Sequence, residues 1–187
     1  MIDPLDAAQL LRTLLLHNRH VEGGMLLIRQ ELERRAHHHD DSKLNADEFG
    51  GFSRINAAAR EFPCNSPEYR AGLDAERLVI DLHYSRNSHH PEHWRELGRA
   101  LGEEAERQRG APDDATYWAA RDRAEMGWLD IIEMVCDWRG AWLAYGSQGT
   151  WRENLDRQRV RFADSFTDDQ WWLIAQVAAF IVPEPQA

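Results

Sequence analysis

Four segments of the sequence concentrate side chains that can bind a metal ion. They are HNRH (17–20), HHHDDSK (37–43), a histidine-rich bend with His83, His89, His90 and His93, and DIIEMVCDW (130–138). Imidazole nitrogens combined with carboxylates suit Mn, Fe, Co, Ni or Zn, whereas carboxylates alone favour Mg or Ca. The residue types therefore predict one or two divalent transition-metal ions, with Mg as a further candidate.

Three carboxylates in the last segment share one face of a predicted helix. Asp130, Glu133 and Asp137 are spaced i, i+3 and i+7, and the surrounding residues are mostly apolar. Carboxylates on such a helix are expected to be partly buried, and a buried charge needs a partner. That partner is either a metal ion or an arginine, for which the sequence offers Arg121, Arg123 and Arg139.

The elements that must position these segments are predicted to be helices. Apolar residues recur at helical spacing almost throughout, and no alternating run predicts a strand. Asp3 and Pro4 are predicted to open a first helix that ends near His17, and Gly23-Gly24 to bend or break the chain before a second helix to Ala36.

Further helices are predicted at 46–56, 66–84 and 91–109, followed by a loop at 110–114. A long helix is expected to begin at Asp113 or Asp114 and to continue, kinked, through Gly127. Two helices follow, the last opened by the capping box TDDQ (167–170). The expected organisation is one domain over 1–187, with the motifs in a core of about 10–145 and helices at 150–182 packed on it.

Composition limits the classes of function. The formal charge of −10 disfavours stable binding of duplex nucleic acid and requires local cations to attract an anionic substrate. The longest apolar run, 171–182, is shorter than the roughly 20 residues that span a bilayer. Two cysteines and no signal-peptide pattern predict a reducing cytoplasm. The sequence does not determine the oligomeric state and is compatible with a homo-oligomer.

The order of these residues resembles a known signature. The H…HD…D pattern of the HD-domain superfamily of metal-dependent phosphohydrolases is matched by His20, His39-Asp40, His89-His90 and Asp137. HDDSK (39–43) is similar to the HD-x-G-K motif of the phosphodiesterase branch, in which the lysine contacts substrate phosphate; here Ser42 replaces the glycine. The chain is also similar, over about 17–140, to an uncharacterised phage-associated family of small helical proteins, through HDDSK, NSHHPEHW and IEMVCDW.

The superfamily resemblance implies an all-α, compact HD-type domain and a role for each matching residue. The first metal would be held by His20, His39, Asp40 and Asp137, and a second by His89 and His90 with His83 as a further candidate. Catalytic roles are predicted for Asp40, Lys43 and Glu133, and substrate binding for Lys43 and Arg86. Glu133 would orient a histidine ligand. His17 competes with His20, and the absent glycine-tyrosine-proline element of one cyclic dinucleotide branch leaves the branch open.

The leading hypothesis is hydrolysis of a nucleotide or related small phosphate ester or anhydride by metal-activated water. Some members of the same superfamily are di-iron oxygenases with a similar ligand set, which makes oxidation the second hypothesis. The third hypothesis is a non-catalytic helical binding module stabilised by its metal. A metal site with no open coordination position would favour this third hypothesis.

Overall fold

The computed structural model describes residues 3–63, 66–96, 100, 126–145 and 149–182. Its helices are α1 (Pro4–His38), α2 (Ala46–Glu61), α3 (Pro67–Ala75), α4 (Arg77–Arg86), α5 (91–96), α6 (Trp128–Ala144), α7 (Trp151–Arg161) and α8 (Asp168–Ile181), with a 3-10 turn at Asp41–Leu44. These residues include no strand, so the all-α prediction is confirmed for them. The predicted loop at 110–114 and the helix expected up to residue 125 lie outside the described ranges.

The chain divides into two units, Met1–His39 and Asp40–Ala187. The first unit consists of α1, which Asp3 caps by accepting a hydrogen bond from the Leu5 amide at 2.8 Å. The helix continues through Gly23 and Gly24, so the predicted bend or break there is wrong. Each glycine costs a helix only about 1 kcal/mol relative to alanine, which a helix of 35 residues can absorb.

Two other helix boundaries differ from those predicted. The helix expected over 66–84 is divided at Glu76, whose backbone (φ −106°, ψ 19°) leaves helical geometry and whose carboxylate pairs with Arg54 of α2 at 2.5 and 2.8 Å. Helix α6 does not continue back through Gly127. This residue is extended (φ −68°, ψ 158°) and is the N-cap of α6. Glycine has a low helix propensity, which favours a boundary at this position.

The hydrophobic core of the second unit lies among α6, α7 and α8. Its buried side chains are Met126, Ile131, Met134, Val135, Trp138, Trp151, Phe162, Phe166, Ile174 and Ala178. The predicted capping box of α8 is confirmed, since Thr167 and Gln170 exchange both of its hydrogen bonds. This packing fixes the position of α6, the helix that carries Asp130, Glu133 and Asp137. In the described part of the chain, no helix has the length and apolar character needed to cross a bilayer.

Helices α2 and α4 pack closely at Gly51. A Cβ atom added to Gly51 would lie 2.7, 2.8 and 2.9 Å from three side-chain carbons of Val79. We therefore expect Gly51→Ala to lower the free energy of unfolding by roughly 1–3 kcal/mol, as overpacking of a buried contact does. Chemical denaturation of the two proteins measures the difference.

The neighbouring glycine provides the control for that substitution. A Cβ at Gly50 would meet only Arg54 Nη1 at 3.6 Å, an ordinary contact. Because alanine favours helix more than glycine does, Gly50→Ala is expected to raise the free energy of unfolding by about 0.5–1 kcal/mol. Equal effects of the two substitutions would contradict a steric role for the Gly51–Val79 contact.

Candidate metal centre

Four side chains of the second unit form a cluster that could hold a metal ion. Asp40, His83, His89 and His90 each contribute one ligand-type atom, and these atoms all lie within 4.8 Å of one another. Asp40 directly precedes the 3-10 turn, His83 is in α4, and the two other histidines are in the 87–90 loop. The cluster thus joins two of the four metal-binding segments that the sequence singled out.

The atoms of the cluster have the separations of ligands around one ion. His83 Nε2 lies 3.1 Å from Asp40 Oδ1, and His89 Nε2 lies 3.6 Å from the same oxygen. His90 Nε2 lies 3.1 Å from His83 Nε2. Ligands about 2.1 Å from a common ion are about 3.0–3.4 Å apart at octahedral or tetrahedral angles. The two separations of 3.1 Å lie within this range and the separation of 3.6 Å lies just above it. The donor set is one that suits a transition metal.

Asp40 occupies an unusual backbone conformation. It has φ 61° and ψ 14°, and it is the only non-glycine residue with positive φ among those described. The Lys43 amide donates to the Asp40 carbonyl at 2.9 Å, which closes the turn. Lys43 Nζ also forms an ion pair with Asp40 Oδ2 and lies 4.9 Å from the centroid of the Phe52 ring. The turn thus directs one oxygen of Asp40 to Lys43 and the other to the histidines.

His83 has a carboxylate partner on its second ring nitrogen. His83 and Glu48 are buried, with exposed fractions of 2% and 0%, and His83 Nδ1 lies 3.0 Å from Glu48 Oε2. Ser42 Oγ donates to the same oxygen at 2.9 Å, and Arg86 Nη1 donates to Glu48 Oε1 at 2.7 Å. In metal sites, the second ring nitrogen of a ligating imidazole is commonly hydrogen-bonded to a carboxylate. This hydrogen bond orients the ring and makes it a better ligand.

The charge of Glu48 is maintained by these hydrogen bonds. Burial alone would raise the pKa of its carboxyl group, but the hydrogen bonds from Arg86, Ser42 and His83 outweigh burial and lower that pKa from its ordinary value. The same arginine donates to Asp47 at 3.0 and 2.6 Å. Its bonds to Asp47 and Glu48 raise the pKa of Arg86 above the ordinary value. These hydrogen bonds therefore favour the ionised form of Glu48.

His89 has a comparable partner on α6. It is 3% exposed, and its Nδ1 lies 3.4 Å from Glu133 Oε1, the carboxylate predicted to orient a histidine ligand. The preceding residue, Ser88, donates to Asp130 Oδ1 at 2.6 Å and accepts from Trp94 Nε1 at its carbonyl oxygen at 2.8 Å. Bonds to α5 and α6 thus hold the loop that carries His89 and His90.

His90 is neutral in this environment. Burial, followed by the nearby His89 and His83, lowers the pKa of His90 to about 2. Its ring also lies 4.7 Å from the ring of Tyr84, centroid to centroid. A neutral imidazole keeps one nitrogen lone pair, which is the form that binds metals.

The remaining predicted site residues have the following positions. His20 is an exposed residue of α1, and His39 is the C-cap of that helix, so both belong to the first unit. Asp137 of α6 presents a carboxylate oxygen within 4.8 Å of a His89 nitrogen. Arg86 is in ion pairs with Asp47 and Glu48. Ligand roles for the first three and substrate binding by Arg86 stay predictions.

The sequence did not predict which residues form hydrogen bonds with the histidines and the turn next to them. Glu48 and Asn87 were given no role, and Ser42 was noted only as a substitute for glycine. In the structure, Asn87 Nδ2 donates to Ser42 Oγ at 2.8 Å and to the His83 carbonyl at 2.8 Å. A glutamate in the first turn of a helix is ordinarily explained by the helix dipole, so Glu48 gave no distinct signal.

Comparisons with known proteins place the chain in a family. No curated protein and no solved structure gave a significant match, and the resemblance to the HD-domain superfamily stays a prediction. The model of the Family of unknown function (DUF5662) matches residues 6–176. The match includes all the segments that form the candidate metal centre and covers most of the sequence. The chain therefore belongs to the Family of unknown function (DUF5662).

Proposed function

We propose that the protein is a metal-dependent phosphohydrolase that acts on a nucleotide or a related small phosphate ester or anhydride. The observation that carries the proposal is the cluster of Asp40, His83, His89 and His90, in which one ligand-type atom of each residue lies within 4.8 Å of the others. A set of three imidazoles and one carboxylate favours Mn, Fe, Co, Ni or Zn over Mg or Ca.

The protein residues would hold the ion and fix the ligand orientation. Asp40 and the three histidines would bind it, while Glu48 and Glu133 would orient His83 and His89. A bound divalent ion supplies a Lewis acid that makes a coordinated water a nucleophile near neutral pH. The proposal also includes the prediction that His20, His39 and Asp137 are metal ligands and that the centre holds a second ion.

Lys43 supports a phosphate-bearing substrate. Its side chain is one-third exposed, and its ammonium group forms an ion pair with the proposed metal ligand Asp40. In a protein of net charge −10, a local cation next to the centre is needed to attract and hold an anion. A lysine so placed can also stabilise charge that develops on the phosphoryl oxygens.

The test is an activity assay with defined metals and substrates. Purified protein is stripped of metal, reloaded with Mn, Co, Fe, Ni, Zn or Mg, and incubated with a panel of nucleotides and phosphate esters. We expect phosphate release that depends on the metal and falls roughly 100-fold or more in Lys43→Ala, as for loss of one transition-state contact. The matched control is His37→Ala, because His37 is an exposed residue close to the same motif.

The outcomes separate the competing hypotheses. Metal-dependent hydrolysis that is unchanged in Lys43→Ala would overturn the role of Lys43. Bound iron with oxygen consumption and no phosphate release would favour the oxygenase. Tight metal binding without either activity would favour a structural metal site.

A further inference from the structure

Helix α1 carries a continuous stripe of apolar side chains. The stripe runs from Ala7 to Leu32, its positions are alternately four and three residues apart, and all of them except Asn18 are apolar. Its most exposed members have between 44% and 67% of their surface accessible: Leu11, Leu14, Val21, Met25 and Ile28. This spacing places the side chains on one side of the helix, and over about three to four heptads it is typical of a coiled coil.

We infer that α1 pairs in parallel with α1 of a second copy of this chain. The inference concerns α1, which makes up the first unit, and it does not depend on the metal centre. A partner for the stripe needs an apolar stripe of the same length and a polar group opposite Asn18. An identical helix meets both requirements, which favours a second copy over an unrelated partner.

Asn18 determines which orientation of the two helices is favoured. With parallel stripes in register, Asn18 faces Asn18 of the second copy, and the two amides can donate to and accept from each other. With antiparallel stripes fully overlapped, Asn18 would lie opposite Val21 of the second copy and lose that partner. A buried amide without a hydrogen-bond partner is costly, so the parallel orientation is favoured.

The same asparagine favours two helices over a larger bundle. In heptad notation, in which a and d are the core positions, Leu11, Asn18 and Leu32 are at a, whereas Val21 and Ile28 are at d. Leucine at a with β-branched residues at d would by itself shift the preference towards more than two helices. A polar residue at a single a position overrides such preferences, and two amides satisfy each other as one pair.

The residues beside the stripe are compatible with this pairing. In a parallel pair, the residues that flank the core positions on one helix lie next to those on the other. Leu10 is thereby next to Leu15 of the second copy, and His17 is next to Glu22. The first pair extends the apolar contact, and in the second the imidazole can donate to the carboxylate. The other flanking pairs of the stripe contain one charged residue each, so no like charges face each other.

The experiment measures self-association of the full chain by sedimentation equilibrium. We expect the wild type to form a reversible dimer, and Leu14→Glu to raise its dissociation constant more than about 100-fold, because each dimer would place two carboxylates in an apolar contact. Leu16→Glu is the matched control, since Leu14 and Leu16 are 46% and 47% exposed but lie on opposite sides of α1. The control is expected to keep the wild-type dissociation constant.

Asn18→Leu tests the inference through a gain of association, which misfolding of α1 would not produce. Association is expected to be about 10-fold tighter or more, because no amide has to be buried in the contact. A monomeric wild type would overturn the inference, as would equal effects of Leu14→Glu and Leu16→Glu. Weaker association of Asn18→Leu would overturn the placement of Asn18 within the contact.

Disulfide cross-linking reads the orientation of the helices. Ala7→Cys is introduced into a chain that also carries Cys64→Ser and Cys136→Ser, and mild oxidation is expected to join the two copies at position 7. Leu16→Cys in the same background controls for random collision, since position 16 faces away from the stripe, and it is expected to remain uncross-linked. Antiparallel helices would hold the thiols of Ala7→Cys at opposite ends of the stripe. A dimer that Ala7→Cys does not cross-link would therefore overturn the parallel arrangement.

Discussion

Asp40→Ala is expected to weaken metal binding by more than about 100-fold, beyond the effect usual for residues that only support a ligand. Its Oδ1 atom is near the Nε2 atoms of His83 and His89, at 3.1 and 3.6 Å, and it supplies the one formal negative charge of the four-residue cluster. The substitution also deprives Lys43 of its carboxylate partner and leaves a positive charge beside the centre. Calorimetric titration and metal analysis after dialysis measure the loss.

The neighbouring aspartate provides the control. Asp41→Ala makes the same change of net charge one residue away, at an exposed position. We expect Asp41→Ala to retain metal with near wild-type affinity. Similar losses in the two variants would mean that general electrostatics, and not coordination by Asp40, governs binding. Full retention of metal by Asp40→Ala would refute the proposed centre.

The second large effect concerns the stability of the helices that support the centre. Trp138 is 8% exposed, and its ring is stacked on Phe162 with 5.7 Å between centroids. Trp138→Ala is expected to lower the free energy of unfolding by about 3–5 kcal/mol, the usual cost of removing a buried aromatic side chain. For a chain of this size, that loss lowers Tm by roughly 6–20 °C in a thermal melt.

Trp172 is the natural comparison, because it is 64% exposed on α8. Trp172→Ala is expected to change Tm far less, since surface substitutions usually shift stability by about 0.5 kcal/mol or less. Equal shifts in Tm for the two tryptophans would show that the core does not lie where α6, α7 and α8 meet. Loss of metal affinity in Trp138→Ala below its Tm would further indicate that core packing positions Glu133.

The sequence predicted the chemical character of the site better than it predicted which residues hold the candidate ligands in place. The residue types and the superfamily resemblance predicted that His83, His89 and His90 bind a metal, and in the structure these histidines lie close to Asp40. Glu48 could not be predicted in the same way. Its partners His83 and Arg86 are 35 and 38 residues away in sequence, and only the packing of α2 on α4 brings them together.

The helical class was predictable because apolar periodicity is a local property. Exact boundaries were not, since they depend on contacts that are distant in sequence. The pairing of Glu76 with Arg54 accompanies the division of α3 from α4, and no local pattern at 66–84 marks it. Helix α1 differs from the prediction in the opposite direction. Gly23 and Gly24 predicted a break, but the helix continues through them because the flanking residues favour helix.

The left-handed backbone of Asp40 implies a trade-off between folding and function. Its φ of 61° is strained for residues with a side chain, whereas glycine adopts it without steric cost. A sequence optimised for folding free energy alone would carry glycine at this position. The chain carries a carboxylate there instead. Under the proposed function, this side chain would bind the metal at a cost in conformational stability.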